Sequence, residues 1–172
     1  MKKLLFLFSL IFSISSASAQ LSVGFVSQKA QKLYWENGVG ADYTSDLLLD
    51  KRVHLKAAFV TSRLGSALNS NAIKQESYTV GADYRFFRRS PVQFFVGLNA
   101  GFFKAHYEEE QFDVIPSSSP LLQFETGLSY HFVIPVTVAA SFGYNVLGSD
   151  GVSGPGTLFP VFYELKVLYR IK

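Results

Sequence analysis

The side chains best fitted to acid–base or nucleophilic chemistry are three histidines, His54, His106 and His131. A serine hydrolase needs a histidine base beside its nucleophile and an acid that orients the ring. None of the three stands in a His-x-Ser pair: His54 leads into Leu55-Lys56, His106 into Tyr107-Glu108 and His131 into Phe132-Val133. The chain has no cysteine, so thiolate chemistry and disulfides are excluded. No zinc-ligand spacing or Gly-rich phosphate cradle is present, and no cofactor or metal is expected. What remains is charge. Glu36, Asp42, Asp83, Glu125 and Glu164 stand against Lys56, Arg85, Lys166 and Arg170, with His54 and His131 nearby, and an acidic run follows at Glu108, Glu109 and Glu110.

These charges matter only if something places them together, and the pattern around them does. Successive strand residues point to opposite faces. Eight strands are expected, over about 21–28, 33–45, 53–63, 75–87, 92–105, 121–132, 136–146 and 158–171. One parity of their central segments has 42 positions, of which 40 are apolar and none is charged. It includes Val23, Phe25, Trp35, Phe59, Val80, Phe94, Phe124, Phe142 and Tyr163. The 34 interleaved positions carry the charges and the glycines, with only Tyr34, Ala58, Phe95, Ala139, Phe162 and Leu168 apolar.

The polar face is small and rich in Gly, whereas the apolar face is bulky. Eight strands closed into a barrel enclose a space just wide enough for side chains. Small residues and ion pairs suit that inside; large apolar residues suit an outside that meets hydrocarbon. The fold class is therefore an all-β, eight-stranded, antiparallel, up-and-down transmembrane barrel with a packed polar lumen.

The start of the chain agrees with export. Met1-Lys2-Lys3, the apolar run from Leu4 to Phe12 and the small residues Ala17-Ser18-Ala19 form a secretory signal peptide, residues 1–19, leaving residues 20–172 as the barrel. Loss of Lys2 and Lys3 takes the basic count from 16 to 14 against 13 acids, too even a balance for a nucleic-acid partner. The links 46–52, 88–91 and 133–135 are short, whereas 64–74, 106–120 and 147–157 are long; only 29–32 departs, by being brief. Such alternation suits periplasmic turns and extracellular loops.

One motif recurs. Thr79-Val80-Gly81-Ala82-Asp83-Tyr84-Arg85-Phe86 aligns with Glu125-Thr126-Gly127-Leu128-Ser129-Tyr130-His131-Phe132 and with Glu164 to Ile171, and Gly38 to Tyr43 is a weaker copy. Tyr43, Tyr84, Tyr130 and Tyr169 are spaced by 41, 46 and 39 residues, one hairpin each, and are expected to form a periplasmic aromatic girdle. Trp35, Tyr78 and Tyr163 suit an upper girdle. The repeat resembles the C-terminal assembly signal of outer-membrane barrels, and the mature chain is similar in architecture to the small OmpA/OmpX-type outer-membrane β-barrel family. Lys166 stands where that pattern has Gly, and the chain ends in Lys172 rather than an aromatic residue.

The resemblance implies a Gram-negative-type outer membrane, contact with its lipid and lipopolysaccharide, insertion by the barrel-assembly machinery, and a packed monomer. It also implies a lumen network of Asp42, Lys56, Asp83, Arg85, Glu125, His131, Glu164, Lys166 and Arg170. Lys104 and His106, with Glu108, Glu109 and Glu110 beyond them, are placed to meet lipopolysaccharide phosphates or a surface partner. The leading reading is a structural or surface-interaction role through the loops, without catalysis. Alternatives are a lipid-A-modifying enzyme, a narrow channel and, more distantly, a soluble lipocalin-like binder. Mass spectrometry of the exported chain is expected to give Gln20 as its first residue; a mature chain retaining residues 1–19 contradicts the assigned signal peptide.

Overall fold

The computed structural model describes residues 19–30, 34–64, 73–106, 117–147 and 160–171. They form β1 (Gln20–Ala30), β2 (Tyr34–Thr44), β3 (Val53–Leu64), β4 (Ile73–Arg85), β5 (Val92–His106), β6 (Ser118–His131), β7 (Val136–Leu147) and β8 (Val161–Arg170). Each strand is antiparallel to its sequence neighbours, and β1 also pairs with β8, so the sheet closes into a barrel. Closure leaves no strand edge, which is the condition for a sheet in hydrocarbon, where no water satisfies a free N–H or C=O. The expected signal peptide and most of the three long loops lie outside the described residues.

The apolar parity faces outward. Phe94, Phe124, Phe142 and Tyr163 are 37, 51, 46 and 51% exposed, and Phe142 and Tyr163 meet on the exterior with ring centroids 5.6 Å apart. A soluble barrel turns such residues into its core. Here the outer wall is the greasy one, and the lipocalin-like alternative is excluded.

The lumen holds more hydrocarbon than expected. Its buried apolar residues include Val26, Val60, Phe103 and Leu121, which lie beyond the central segments of the alternation, alongside the anticipated Phe95, Ala139, Phe162 and Leu168. The inside is thus part ion pairs and part hydrocarbon. Glycine makes the room for both. A Cβ on Gly143 would run into the Phe162 ring, and one on Gly127 would stand 2.8 Å from Phe95 Cζ. On Gly97 it would strike Asp83. Large side chains of one strand thus occupy the volume that glycine leaves on another.

Two turns explain where strands stop. Leu49, Asp50 and Lys51 all have positive φ, at 49, 54 and 61°. That left-handed run reverses the chain between β2 and β3, tied by Asp50 N to Asp46 O at 3.1 Å and Lys51 Nζ to Asp46 at 3.3 Å. Phe87 also has positive φ, 58°, so β4 ends at Arg85 and not at residue 87 as the alternation suggested.

Replacing Gly143 with Val is expected to destabilise the barrel by about 1–3 kcal/mol through overpacking against Phe162. Gly143→Val combined with Phe162→Ala should recover part of that loss. Urea midpoints of the detergent-folded variants measure both; strictly additive losses contradict the proposed exchange of volume.

Candidate functional site

At the end of the lumen that carries the short turns, Asp42 is the hub. Its Oδ1 lies 2.7 Å from His54 Nδ1, and its Oδ2 accepts from Arg85 Nη2 at 2.5 Å. His131, the ring above the third short turn, lies within hydrogen-bond distance of Arg85 (3.2 Å), Gln93 (3.1 Å) and Thr137 (3.0 Å). These groups come from β2, β3, β4, β5, β6 and β7, each at or within two residues of the strand end beside a short turn, because inward parity fixes them there. A histidine held by a carboxylate has the look of a base and its orienter. Here the same carboxylate is shared with a guanidinium, which makes the arrangement an ion-pair clasp.

Further along the axis, Lys56 on β3 reaches Asp83 on β4 at 2.5 Å and Glu125 on β6 across the lumen. These are charge contacts more than aligned hydrogen bonds. Ser141 donates to the second oxygen of Glu125 at 3.3 Å. On β8, Lys166 pairs with Glu164 at 2.7 Å. All five charged side chains are at most 14% exposed. Burial of one such charge alone is prohibitive, so the contacts must be mutual.

Two polar groups of the lumen escaped the sequence reading. Asn99 donates to Gln123 at 3.4 Å and Gln123 to Asn145 at 2.9 Å, an amide ladder across β5, β6 and β7. Ser62 donates to Glu36 at 3.5 Å and accepts from Gln75 at 3.4 Å. Uncharged amides carry no signature in sequence beyond their parity, and that parity was the available signal. Arg170, expected in the network, lies by the lower lumen void with Asp42, His54 and His131 and makes no ion pair among the described residues.

The remaining candidates sit on the exterior. Tyr43, Tyr84, Tyr130 and Tyr169 all occupy outward positions near the short-turn ends of their strands. Arg52 donates to the Tyr84 hydroxyl at 3.0 Å, while Tyr84 packs on Phe86 and Tyr130 on Phe132 at centroid distances of 4.9 and 4.6 Å. At the opposite end, Lys104 and His106 are exposed on the outer face of β5, and His106 Nε2 stands 3.9 Å from Glu76. Glu108, Glu109 and Glu110 lie outside the described residues.

The middle cluster yields a sharp expectation. Lys56→Met leaves Asp83 and Glu125 facing each other unpaired and should cost about 3–5 kcal/mol. Adding Asp83→Asn and Glu125→Gln to that variant should restore most of the loss. Equilibrium unfolding in detergent micelles checks this, and a single variant as stable as the parent contradicts a coupled interior.

No protein-family model matches the chain, and no curated protein sequence does. Solved structures do. Neisserial surface protein A is 20% identical with a TM-score of 0.56, over 90% of this chain and 95% of that one. The N-terminal β-barrel domain of OprF from Pseudomonas aeruginosa is 12% identical with a TM-score of 0.60, over 88% and 97%. Ail, the attachment invasion locus protein of Yersinia pestis, is 17% identical with a TM-score of 0.52, over 90% and 98%. The closed eight-stranded barrel thus superposes on solved barrels along nearly their whole length, and the chain has their transmembrane β-barrel fold.

Proposed function

We propose that the chain is an integral outer-membrane protein whose barrel serves as a closed, non-catalytic scaffold and whose long connections engage partners at the cell surface. The observation that carries this reading is the filled lumen. Two voids within it, one beside Lys56 and Asp83 and one beside His54 and His131, are about 20 Å³ each. That volume holds about one water molecule, whereas conduction needs a continuous wet path. Two of the structural neighbours, OprG from Pseudomonas aeruginosa and Ail, are described as outer membrane proteins, which supports the same placement.

The three long connections, β3–β4, β5–β6 and β7–β8, all open at the end opposite the short turns. One structure of Ail contains a heparin analogue, sucrose octasulfate. The β5–β6 connection of this chain carries Glu108, Glu109, Glu110 and Asp113, a set that suits a basic partner or a divalent cation.

Planar-bilayer recording of the purified protein tests the scaffold. A silent bilayer is expected with heat-modifiable protein of the outer-membrane fraction. Stable conductance steps contradict the closed scaffold and favour a narrow channel.

A further inference from the structure

The outer wall is not uniform. Across β2 to β5, one register row reads Ala41, Ala57, Val80, Ala100. The next row toward the long connections reads Val39, Phe59, Tyr78, Phe102, and the one beyond it Asn37, Thr61, Glu76, Lys104. Small residues below an aromatic row leave a groove of about 780 Å³ in the lipid-facing wall, floored by Ala41, Ala57 and Ala100 and edged by Phe59, Tyr78 and Phe102. Its lining is almost wholly apolar and it lies open to the surrounding acyl chains.

Charge is gathered over the same sector. Lys74 pairs with Glu76 at 2.5 Å, Glu76 accepts from the Tyr78 hydroxyl at 3.0 Å, and Lys104 faces Glu76 in register. His106 stands beside them, in register with Lys74. Two lysines against one carboxylate leave one positive charge unspent, and His106 adds a ring nitrogen beside them. The outward positions at the same end of β6, β7 and β8 carry Ser118, Pro120, Val146 and Val161, none charged. Outward-facing charge is tolerated only near an interface. Height agrees: the ten residues from Tyr84 to Lys74 climb about 25 Å at ~3.3 Å per residue and a tilt of about 40°, one apolar band.

We propose that this sector is a lipid site: a phosphate of outer-leaflet lipid A rests on Lys74, Lys104 and His106 while one acyl chain lies past Tyr78 and Phe102 in the alanine groove. The inference rests on the outer-membrane placement above and goes beyond it. A second copy of the chain is the competing occupant, and charge argues against it. Two copies joined through this wall in one membrane keep the same ends up and set their lysine clusters against each other. A phosphorylated lipid satisfies shape and charge together.

The test uses the full mature chain in phosphatidylcholine nanodiscs containing a minor fraction of bisphosphorylated lipid A, with retained lipid read by native mass spectrometry. The wild type should retain lipid A in preference to its dephosphorylated form. Lys74→Gln with Lys104→Gln, and separately Ala57→Leu with Ala100→Leu, should each lower retention about tenfold, the scale of one lost charged hydrogen bond or a filled apolar site. Ala140→Leu, on the opposite wall, should leave it unchanged, and heat-modifiable migration reports folding of every variant. Equal retention by all variants, or no preference for the phosphorylated form, overturns the site. So does a dimer that Ala57→Leu abolishes. Failure of the wild type to enter nanodiscs at all overturns the membrane placement itself and is read separately.

Discussion

A peptide group in hydrocarbon has no water to turn to, and the whole molecule follows from that constraint. The β1–β8 ladder, from Ser22 with Arg170 to Ala30 with Phe162, converts a sheet with two open edges into one with none. Backbone bonds continue past the strand ends, with Ile171 N bonded to Leu21 O and Arg170 N to Pro135 O, so the seam is sealed at the short-turn rim. Once eight strands close, the inner radius is set, and the inside has to be filled by what those strands carry. Glycine opposite phenylalanine, and glycine opposite a carboxylate, are the local solutions.

The ion pairs of the lumen are better understood as guardians of register than as a source of net stability. Buried ion pairs give back roughly what their desolvation costs, and hydrophobic replacements often do as well. A slip of one residue by one strand, however, would move that strand's inward charges (Lys56 on β3, Asp83 and Arg85 on β4, or Glu125 on β6) to the lipid face. A Lys or Arg there costs about 2–4 kcal/mol near the bilayer midplane. The clasp at Asp42 and the bridge at Lys56 each join several strands, so one misplaced strand breaks contacts on others.

Parity was legible in the sequence because a barrel strand has only two faces and the membrane makes them chemically opposite. Phe124 and Glu125 are neighbours in the chain and end on different sides of the wall, one 51% and the other 5% exposed. Partnership was not legible. That Lys56 bridges Asp83 and Glu125, while Arg170 takes no carboxylate among the described residues, depends on strand stagger and side-chain reach, neither of which alternation encodes. Strand ends were misjudged where turn chemistry intervened: Ser118 to Pro120 extend β6 beyond the expected start at 121, and Phe87 leaves β4 through a left-handed turn. Phe103 and Leu121 were missed inside because the apolar pattern was followed only through the middle of each strand, while the lumen is filled to the strand's outer turn.

The lipid-facing wall and the filled interior are two consequences of one alternation along the strands. All of it presupposes that the apolar parity meets lipid. The absence of cysteine allows a direct reading: single spin-labelled cysteines along β5, from Val92 to Lys104, with oxygen and a water-soluble nickel complex as competing relaxants. The account predicts oxygen accessibility that rises at 94, 96, 98, 100 and 102 and falls at 95, 97, 99 and 101. The opposite phase, or no alternation, would contradict it.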